Sequence, residues 1–349
     1  MLIAGSNPIA AQKDRAEINI LPTDWASLAS PLKPFLKAVN EQLREQVHAF
    51  EPEVASFAEY ALTNQGKQLR PTLVGLAGQA DNGFEPGLTQ VAVIIEMVHL
   101  ATLVHDDIMD QATIRRNRPT LCEHSGSEVS VLLGDCLFAR ALELASEFPT
   151  TKVCQRVARA TRSVCSGEIL QTLRYKKQIH NREDYLRTLR MKTAELFALS
   201  CELGGSQIGL NSKQCLALRE YGFALGTAYQ IYDDCLDIFG SEASAGKSLG
   251  TDLRTGKFTL PILLLLERVG ESKKMEMIAK LFQWEESLTP WLMDLLAANH
   301  TLEGSVATID QYLARAQKSL LDLTDDRHGA SLNGLLAFLA GQVSRLHYT

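Results

Sequence analysis

Long proline-free stretches with helical rather than alternating apolar periodicity set the first constraint on this chain. It has 11 prolines in 349 residues. Val91, Ile94, Ile95, Val98 and Thr102 recur at three- and four-residue steps, the stripe of a buried helix. Similar patterns predict helices over about 33–48, 128–148, 150–178, 182–203, 211–239 and 303–323. Ser127, Asn181 and Asn211 stand where N-caps belong. No β-branched run of alternating polarity is flanked by Asn-Gly or Asp-Gly. The expectation is an all-α chain of ten or more helices.

The length allows two domains by the usual prior of roughly 150 residues each, but no linker divides the chain. The Gly/Ser/Thr-rich stretch 240–257 also carries Lys247, Arg254 and Lys257, which suits a substrate-covering loop better than a spacer. Residues 1–24 have weak periodicity and read as a weakly ordered arm, leaving 25–349 as a single domain. There is no repeat at 30–50 residues, which argues against a solenoid. A net charge of −6 without any basic block argues against a nucleic-acid surface. The seven cysteines form no C-x-x-C pair, so neither zinc nor a disulfide framework is indicated, and reduced thiols fit a cytoplasmic protein. The first cation is Lys13, which speaks against a signal peptide. The strongest apolar run, Ile262–Leu266, is far short of a membrane span, and no transmembrane segment is expected.

Two segments share one acidic pattern: Asp106-Asp107-Ile108-Met109-Asp110 and Asp233-Asp234-Cys235-Leu236-Asp237. In each, the first and last aspartates are four apart, on one helix face and about a turn from each other. Like charges at that spacing repel, and each cluster ends an apolar stripe. A divalent cation would neutralise them, and a few hard carboxylate oxygens with room for water and phosphate describe Mg²⁺. One such pattern is ordinary for an exposed helix end, but two in one chain are not. Cations recur around them: Lys67 and Arg70 at i, i+3, Arg115-Arg116, Lys192-Thr193, Lys247 and Lys257. With six aspartates they suggest a metal-bridged polyanion site, with diphosphate the obvious candidate. Gly240 to Ser248 resembles a P-loop but has five residues between its glycines where four are required. His99 and His105 are six apart on one helix, too far round for paired zinc ligation.

At these residues the chain resembles the trans-isoprenyl diphosphate synthase (polyprenyl synthase) family. The likeness runs through Gly66-Lys67-x-x-Arg70-Pro71, Glu96-x-x-His99, His105-Asp106-Asp107-x-x-Asp110 with Arg115-Arg116, and Gly134-Asp135. It continues through Gly167-Glu168-x-x-Gln171, Lys192-Thr193-Ala194, Gln230-x-x-Asp233-Asp234-x-x-Asp237, Gly246-Lys247 and Gly256-Lys257-x-Thr259-x-Pro261. The resemblance implies the isoprenoid synthase fold, a helical bundle around a deep central cavity, and a homodimer. It implies that Asp106, Asp110 and Asp233 hold Mg²⁺, three ions with substrate bound, supported by Asp107, Asp234 and Asp237. Arg115, Lys192, Thr193, Gln230, Lys247 and Lys257 would contact the allylic diphosphate, with Arg115, Lys192, Thr193 and Gln230 the catalytic set. Lys67, Arg70, His99 and Arg116 would hold isopentenyl diphosphate. Gln65, Gln68 and Asn117 depart from the family's usual Gly, Arg and Gly.

The implied reaction is head-to-tail prenyl transfer. In the family the chain resembles, a bulky aromatic at the place of Ala101 and Thr102 stops elongation; here both are small, Val98 continues that wall, and Phe138 is expected to close it from a neighbouring helix. The expectation is a medium- or long-chain product. The alternatives are a farnesyl or geranylgeranyl diphosphate synthase, a terpene cyclase, and a non-catalytic partner subunit. Lys67, Arg70 and Arg116 argue against the cyclase, and the six retained aspartates against the non-catalytic subunit.

Overall fold

Apolar periodicity becomes helix nearly everywhere in the structure, a computed structural model that describes residues 24–63, 66–79, 83–176, 181–240, 250–323 and 326–348. The first half holds α1 (Trp25–Ala29), α2 (Lys33–Glu45), α3 (Pro52–Thr63), α4 (Leu69–Gly78) and α5 (Pro86–Met109). A two-strand hairpin, β1 (Ile114–Arg115) with β2 (Arg118–Pro119), leads to α6 (Leu121–Ser125), α7 (Ser127–Ser146) and α8 (Lys152–Lys176). The second half holds α9 (Arg182–Leu189), α10 (Glu195–Gln207), α11 (Ser212–Phe239), α12 (Thr251–Arg254) and α13 (Leu260–Arg268). It closes with α14 (Glu271–Phe282), α15 (Thr289–Ala298), α16 (Thr301–Ser319) and α17 (Asp326–Val343).

One apolar cluster gathers on α5, α7 and α8, and another on α11, α13, α16 and α17. Helices α4 and α10 give side chains to both: Leu73 and Phe197 to one, Val74 and Leu196 to the other. Their own surfaces are therefore buried nearly all round, as suits mostly apolar helices, and the buried Glu195 and Glu202 of α10 are paired with Arg219. Helices α10 and α11 approach to backbone contact. A Cβ at Gly222 would fall 2.6 Å from the Ala198 Cα, and one at Gly226 would fall 2.8 Å from the Ala194 Cα. Larger side chains there would push α11, and the acidic motif at its end, away from Lys192 and Thr193.

Two of the three expected caps are made. Asn211 accepts from the Lys213 and Gln214 N–H groups, and Gln214 completes a capping box. Asn181 accepts from the Asp184 N–H at 2.8 Å. Ser127 does not cap: it already lies inside α7, and Gly126, with φ of 87°, holds the N-cap position. The stripe read as 182–203 is broken, because a π-turn at Arg190–Ala194 separates α9 from α10. Of the arm 1–24, only Asp24 is described, and it caps α1 by accepting from the Ser27 N–H; residues 1–23 lie outside the described residues. The stretch 240–257 contains α12, while 241–249, with Gly246 and Lys247, lie outside them.

The length of the longest apolar run needs a correction. Helix α5 is long and apolar enough to cross a membrane, although most of that stretch is buried inside the protein. Glu96 and His99 interrupt the apolar run in sequence, which hid its length.

Candidate active site

Both acidic motifs close long helices at their C-terminal ends, Asp106–Asp110 on α5 and Asp233–Asp237 on α11. The last carbonyls of a helix already carry a partial negative charge, so carboxylates belong at the other end. A sequence that breaks this rule twice has cations to bring. Lys192 supplies one: its Nζ lies 3.5 Å from the Asp106 Oδ2, 2.5 Å from Glu168 and 3.4 Å from the Gln171 Oε1. Lys257 supplies another, donating to the Asp110 Oδ1 at 2.7 Å.

The π-turn aims two neighbours at different motifs. Lys192 turns toward Asp106, while the Thr193 hydroxyl donates to the Gln230 Oε1 at 3.0 Å. The Gln230 amide donates in turn to the Asp234 Oδ1 at 2.8 Å, and the Tyr185 hydroxyl to the Asp234 Oδ2 at 2.5 Å. A Cβ at Gly167 would fall 2.9 Å from the Met191 Cβ, so only glycine lets α8 close on this turn. A cavity of about 220 Å³ opens here. Its lining includes Lys192, Thr193, Gln230, Asp234 and Lys257 and the apolar Leu189, Phe258 and Leu263.

The six aspartates are not equivalent. Asp107 accepts from the Arg115 Nε at 2.6 Å, Asp234 is engaged by Tyr185 and Gln230, and Asp237 accepts from the Thr251 hydroxyl and the Asp252 N–H. These three are buried and hold the site together. Asp106 and Asp110 face lysines that a diphosphate would also attract, and Asp233, on α11, is half-buried. Burial pushes the Asp106 carboxyl up to about 6, with Glu168 and Asp110 adding to the effect and Lys192 opposing it.

Behind the first motif lies a second cationic group around one buried carboxylate. Glu96 is 2% exposed; burial raises its carboxyl pKa, and Arg70 and Arg116 draw it back down. The Arg116 guanidinium lies against Gly66, where a Cβ would fall 2.8 Å from its Cζ, which places it beside Lys67. Burial, then Arg70, Arg116 and Arg115, holds His99 well below the usual histidine range, so its imidazole is neutral at neutral pH. The Arg70 Nε is buried without a hydrogen-bond partner, a donor in want of an acceptor. Gln68, with φ of 49°, turns its amide to Asn40 on α2. Asn117 accepts a left-handed conformation in place of glycine, with φ of 61°.

Of the chain-length candidates, Ala101 and Val98 are fully buried, whereas Thr102 is half-buried and donates to the His99 carbonyl. Phe138 packs edge-on against His105 at 5.7 Å. Tyr185 was not foreseen, having no signal of spacing or charge. Glu168 and Gln171, three apart on α8, have the spacing of one helix face, and both meet Lys192.

Among the described residues no three acidic or histidine side chains converge as a ready-made metal cage. The donors nevertheless fit Mg²⁺, which keeps several waters and takes one or two carboxylates plus phosphate oxygens. Because protons compete for Asp106 below about pH 6, Mg²⁺ alone should raise the melting temperature by roughly 2–4 °C more at about pH 7.5 than at about pH 5. A melting shift independent of pH would remove Asp106 from the ligand set.

The polyprenyl synthetase family model matches residues 51–291. Heptaprenyl diphosphate synthase component 2 of Bacillus subtilis is 30% identical over 339 residues, 97% of each chain. A decaprenyl diphosphate synthase from Rhodobacter capsulatus superposes with a TM-score of 0.83 at 32% identity, over 92% of this chain and 98% of that one. A polyprenyl synthase from Caulobacter crescentus, complexed with calcium and isoprenyl diphosphate, gives 0.82 at 30% identity, over 94% and 100%.

Proposed function

The chain belongs to the polyprenyl synthetase family, and from that premise we propose that it condenses isopentenyl diphosphate with an allylic diphosphate, using Mg²⁺, to make a medium- or long-chain all-trans polyprenyl diphosphate. One observation carries this reading. Lys192 and Lys257 pair with Asp106 and Asp110 of the first acidic motif and line one cavity with Asp234 of the second, with a separate arginine cluster behind the first. That is a site for two diphosphates. The neighbour holding calcium and isoprenyl diphosphate supports a divalent ion and a prenyl diphosphate, and heptaprenyl and decaprenyl relatives support the length.

Bound Mg²⁺ would supply Lewis-acid stabilisation of the leaving diphosphate, held by Asp106, Asp110 and Asp233. Lys192 and Lys257 then exchange carboxylate partners for phosphate oxygens. Arg115, Thr193 and Gln230 complete the allylic side; Lys247, named for it from the sequence, lies outside the described residues. Lys67, Arg70, Arg116 and neutral His99 hold isopentenyl diphosphate so that its double bond faces the allylic carbon. Leu189, Phe258 and Leu263 keep water from the forming cation.

Incubation with Mg²⁺, farnesyl diphosphate and isopentenyl diphosphate should yield chains of seven to ten isoprene units, the span of the relatives. Products of three or four units would favour a farnesyl or geranylgeranyl diphosphate synthase, cyclic hydrocarbons a cyclase, and no condensation at all a partner subunit. The two arginines of the hairpin provide a finer test. Arg115 is tied to Asp107 and Arg116 to the Glu96 group, so each serves one substrate. Arg116→Ala should raise the KM for isopentenyl diphosphate about tenfold or more, the worth of a charged contact, and Arg115→Ala that of the allylic substrate. Equal effects on both substrates would merge the two sites.

Exposed Val131 and Leu132 on α7 and Ile169 and Leu173 on α8 support a homodimer. The word component in the Bacillus relative's name favours a second possibility, a different partner chain; size-exclusion mass of the isolated protein separates them. The free thiols fit a cytoplasmic setting.

A further inference from the structure

We propose that Phe197, on α10, is the positioning residue that sets the tilt of Arg70, and with it the isopentenyl diphosphate site; the inference rests on the reading of Arg70 given above. Arg70 is the second residue of α4, just after the left-handed Gln68. As a residue it is half-buried, while its Nε is buried without a hydrogen-bond partner. The outer end of the guanidinium can therefore meet a ligand, but its inner edge has no hydrogen bond to fix an angle. Glu96 attracts the group and Arg116 repels it. Coulombic forces fall off slowly with distance and set no orientation. A flat surface does.

Phe197 provides that surface. The Arg70 Cζ lies 5.3 Å from its ring centroid, within the range of a cation–π contact. A guanidinium is planar and weakly hydrated, so it stacks on a ring where an ammonium would not. The ring has little freedom of its own. It is 2% exposed and packs against Tyr229 with centroids 5.6 Å apart and planes at 33°. Gly226 leaves room for it, since a Cβ there would fall 2.9 Å from the Phe197 Cβ and Cγ. Gly226 and Tyr229 are three apart on α11 and share a helix face, so one supplies the slot and the other the wall. Phe197 thus ties an arginine of α4 to the frame of α11. Gln230, next to Tyr229, has its own partners in Thr193 and Asp234. Loss of the ring should therefore be felt at Arg70 and spare the allylic side.

The test is a double-mutant cycle of Phe197→Leu and Arg70→Ala, read by steady-state kinetics. Phe197→Leu stays apolar and removes only the ring. It should raise the KM for isopentenyl diphosphate about five- to tenfold, the scale of a desolvated cation–π contact, with the allylic KM within about twofold and kcat within about threefold. Added to Arg70→Ala, the same substitution should change the KM for isopentenyl diphosphate by less than about twofold, because the group it positions is gone. Should Phe197→Leu melt below the assay temperature, Phe197→Met, which keeps more of the volume, takes its place in the cycle. An unchanged KM for isopentenyl diphosphate, or an equal rise for both substrates, overturns the proposal. So does a loss that persists in full without Arg70, since the ring would then act by packing alone. A wild-type protein that consumes no isopentenyl diphosphate overturns the functional reading instead. The stack is then decided by calorimetric titration of inorganic diphosphate without Mg²⁺: binding should weaken about fivefold in Phe197→Leu and no further when Phe197→Leu is added to Arg70→Ala. Equal affinity of wild type and Phe197→Leu for that probe overturns the stack as well.

Discussion

Asp106→Ala is expected to lower kcat by roughly a thousandfold, the scale seen when a group that stabilises developing charge is removed. The expectation follows from where Asp106 sits. It is the first acidic residue of the α5 end, mostly buried, shares a face with Asp110 and lies within reach of Lys192. Its carboxyl is pushed up to about 6 by burial and by the carboxylates of Glu168 and Asp110, so the folded protein carries an unfavourable ionised group there until a cation arrives. Removing it should therefore leave the metal-free fold intact or slightly more stable at neutral pH, even as catalysis collapses. That combination separates a ligand from a structural residue. Single-turnover rates at saturating Mg²⁺, with melting curves of the same variant, check it. Turnover within threefold of wild type, or a collapse of the fold, would remove Asp106 from the metal site.

Asp237→Ala should behave oppositely, because its carboxylate receives the Thr251 hydroxyl and the Asp252 N–H that start α12. From the sequence the two aspartates look alike, each one end of an Asp-Asp-x-x-Asp. Spacing tells which carboxylates share a face; it does not tell which backbone N–H groups a later segment will bring to them. The same limit explains Tyr185, whose partner Asp234 lies 49 residues away.

Where the chemistry is local, the sequence was sufficient. Asn181 and Asn211 cap because an Asx side chain reaches N–H groups two or three residues on, and the long apolar stripes became α5, α8 and α11. Where the backbone departs from a regular period, it was not. The apolar pattern across 182–203 gives no sign of the π-turn that breaks the helix, because one extra residue in a turn barely disturbs such a pattern. The hairpin at Ile114–Pro119 has Arg116-Asn117 where Asn-Gly would announce a turn. Both irregular places present arginine or lysine to the site. Local rules fail where function imposes its own geometry.

A ring placed below Asp106 should shorten the product to three or four isoprene units while isopentenyl diphosphate is still consumed. Thr102 lies one turn before Asp106 on the same face, and Val98 one turn further, so a tail descending from the metal passes Thr102 first. A turn rises about 5.4 Å, close to the extent of one isoprene unit. Thr102 is half-buried, which leaves room for a ring; Ala101 is fully buried and shares its face with His105, against α7 and Phe138. Thr102→Phe is therefore expected to cap the product with the melting temperature nearly unchanged. Ala101→Phe should cap it too, at an added loss of about 1–3 kcal/mol in stability from overpacking. Neither change touches a diphosphate contact, so the first condensations proceed and only the later ones fail. Chromatographic sizing of the products, with melting curves for both variants, distinguishes the two. If both retain activity and make chains as long as the wild type does, the tail descends along another wall, and the smallness of Ala101 and Thr102 serves helix packing alone.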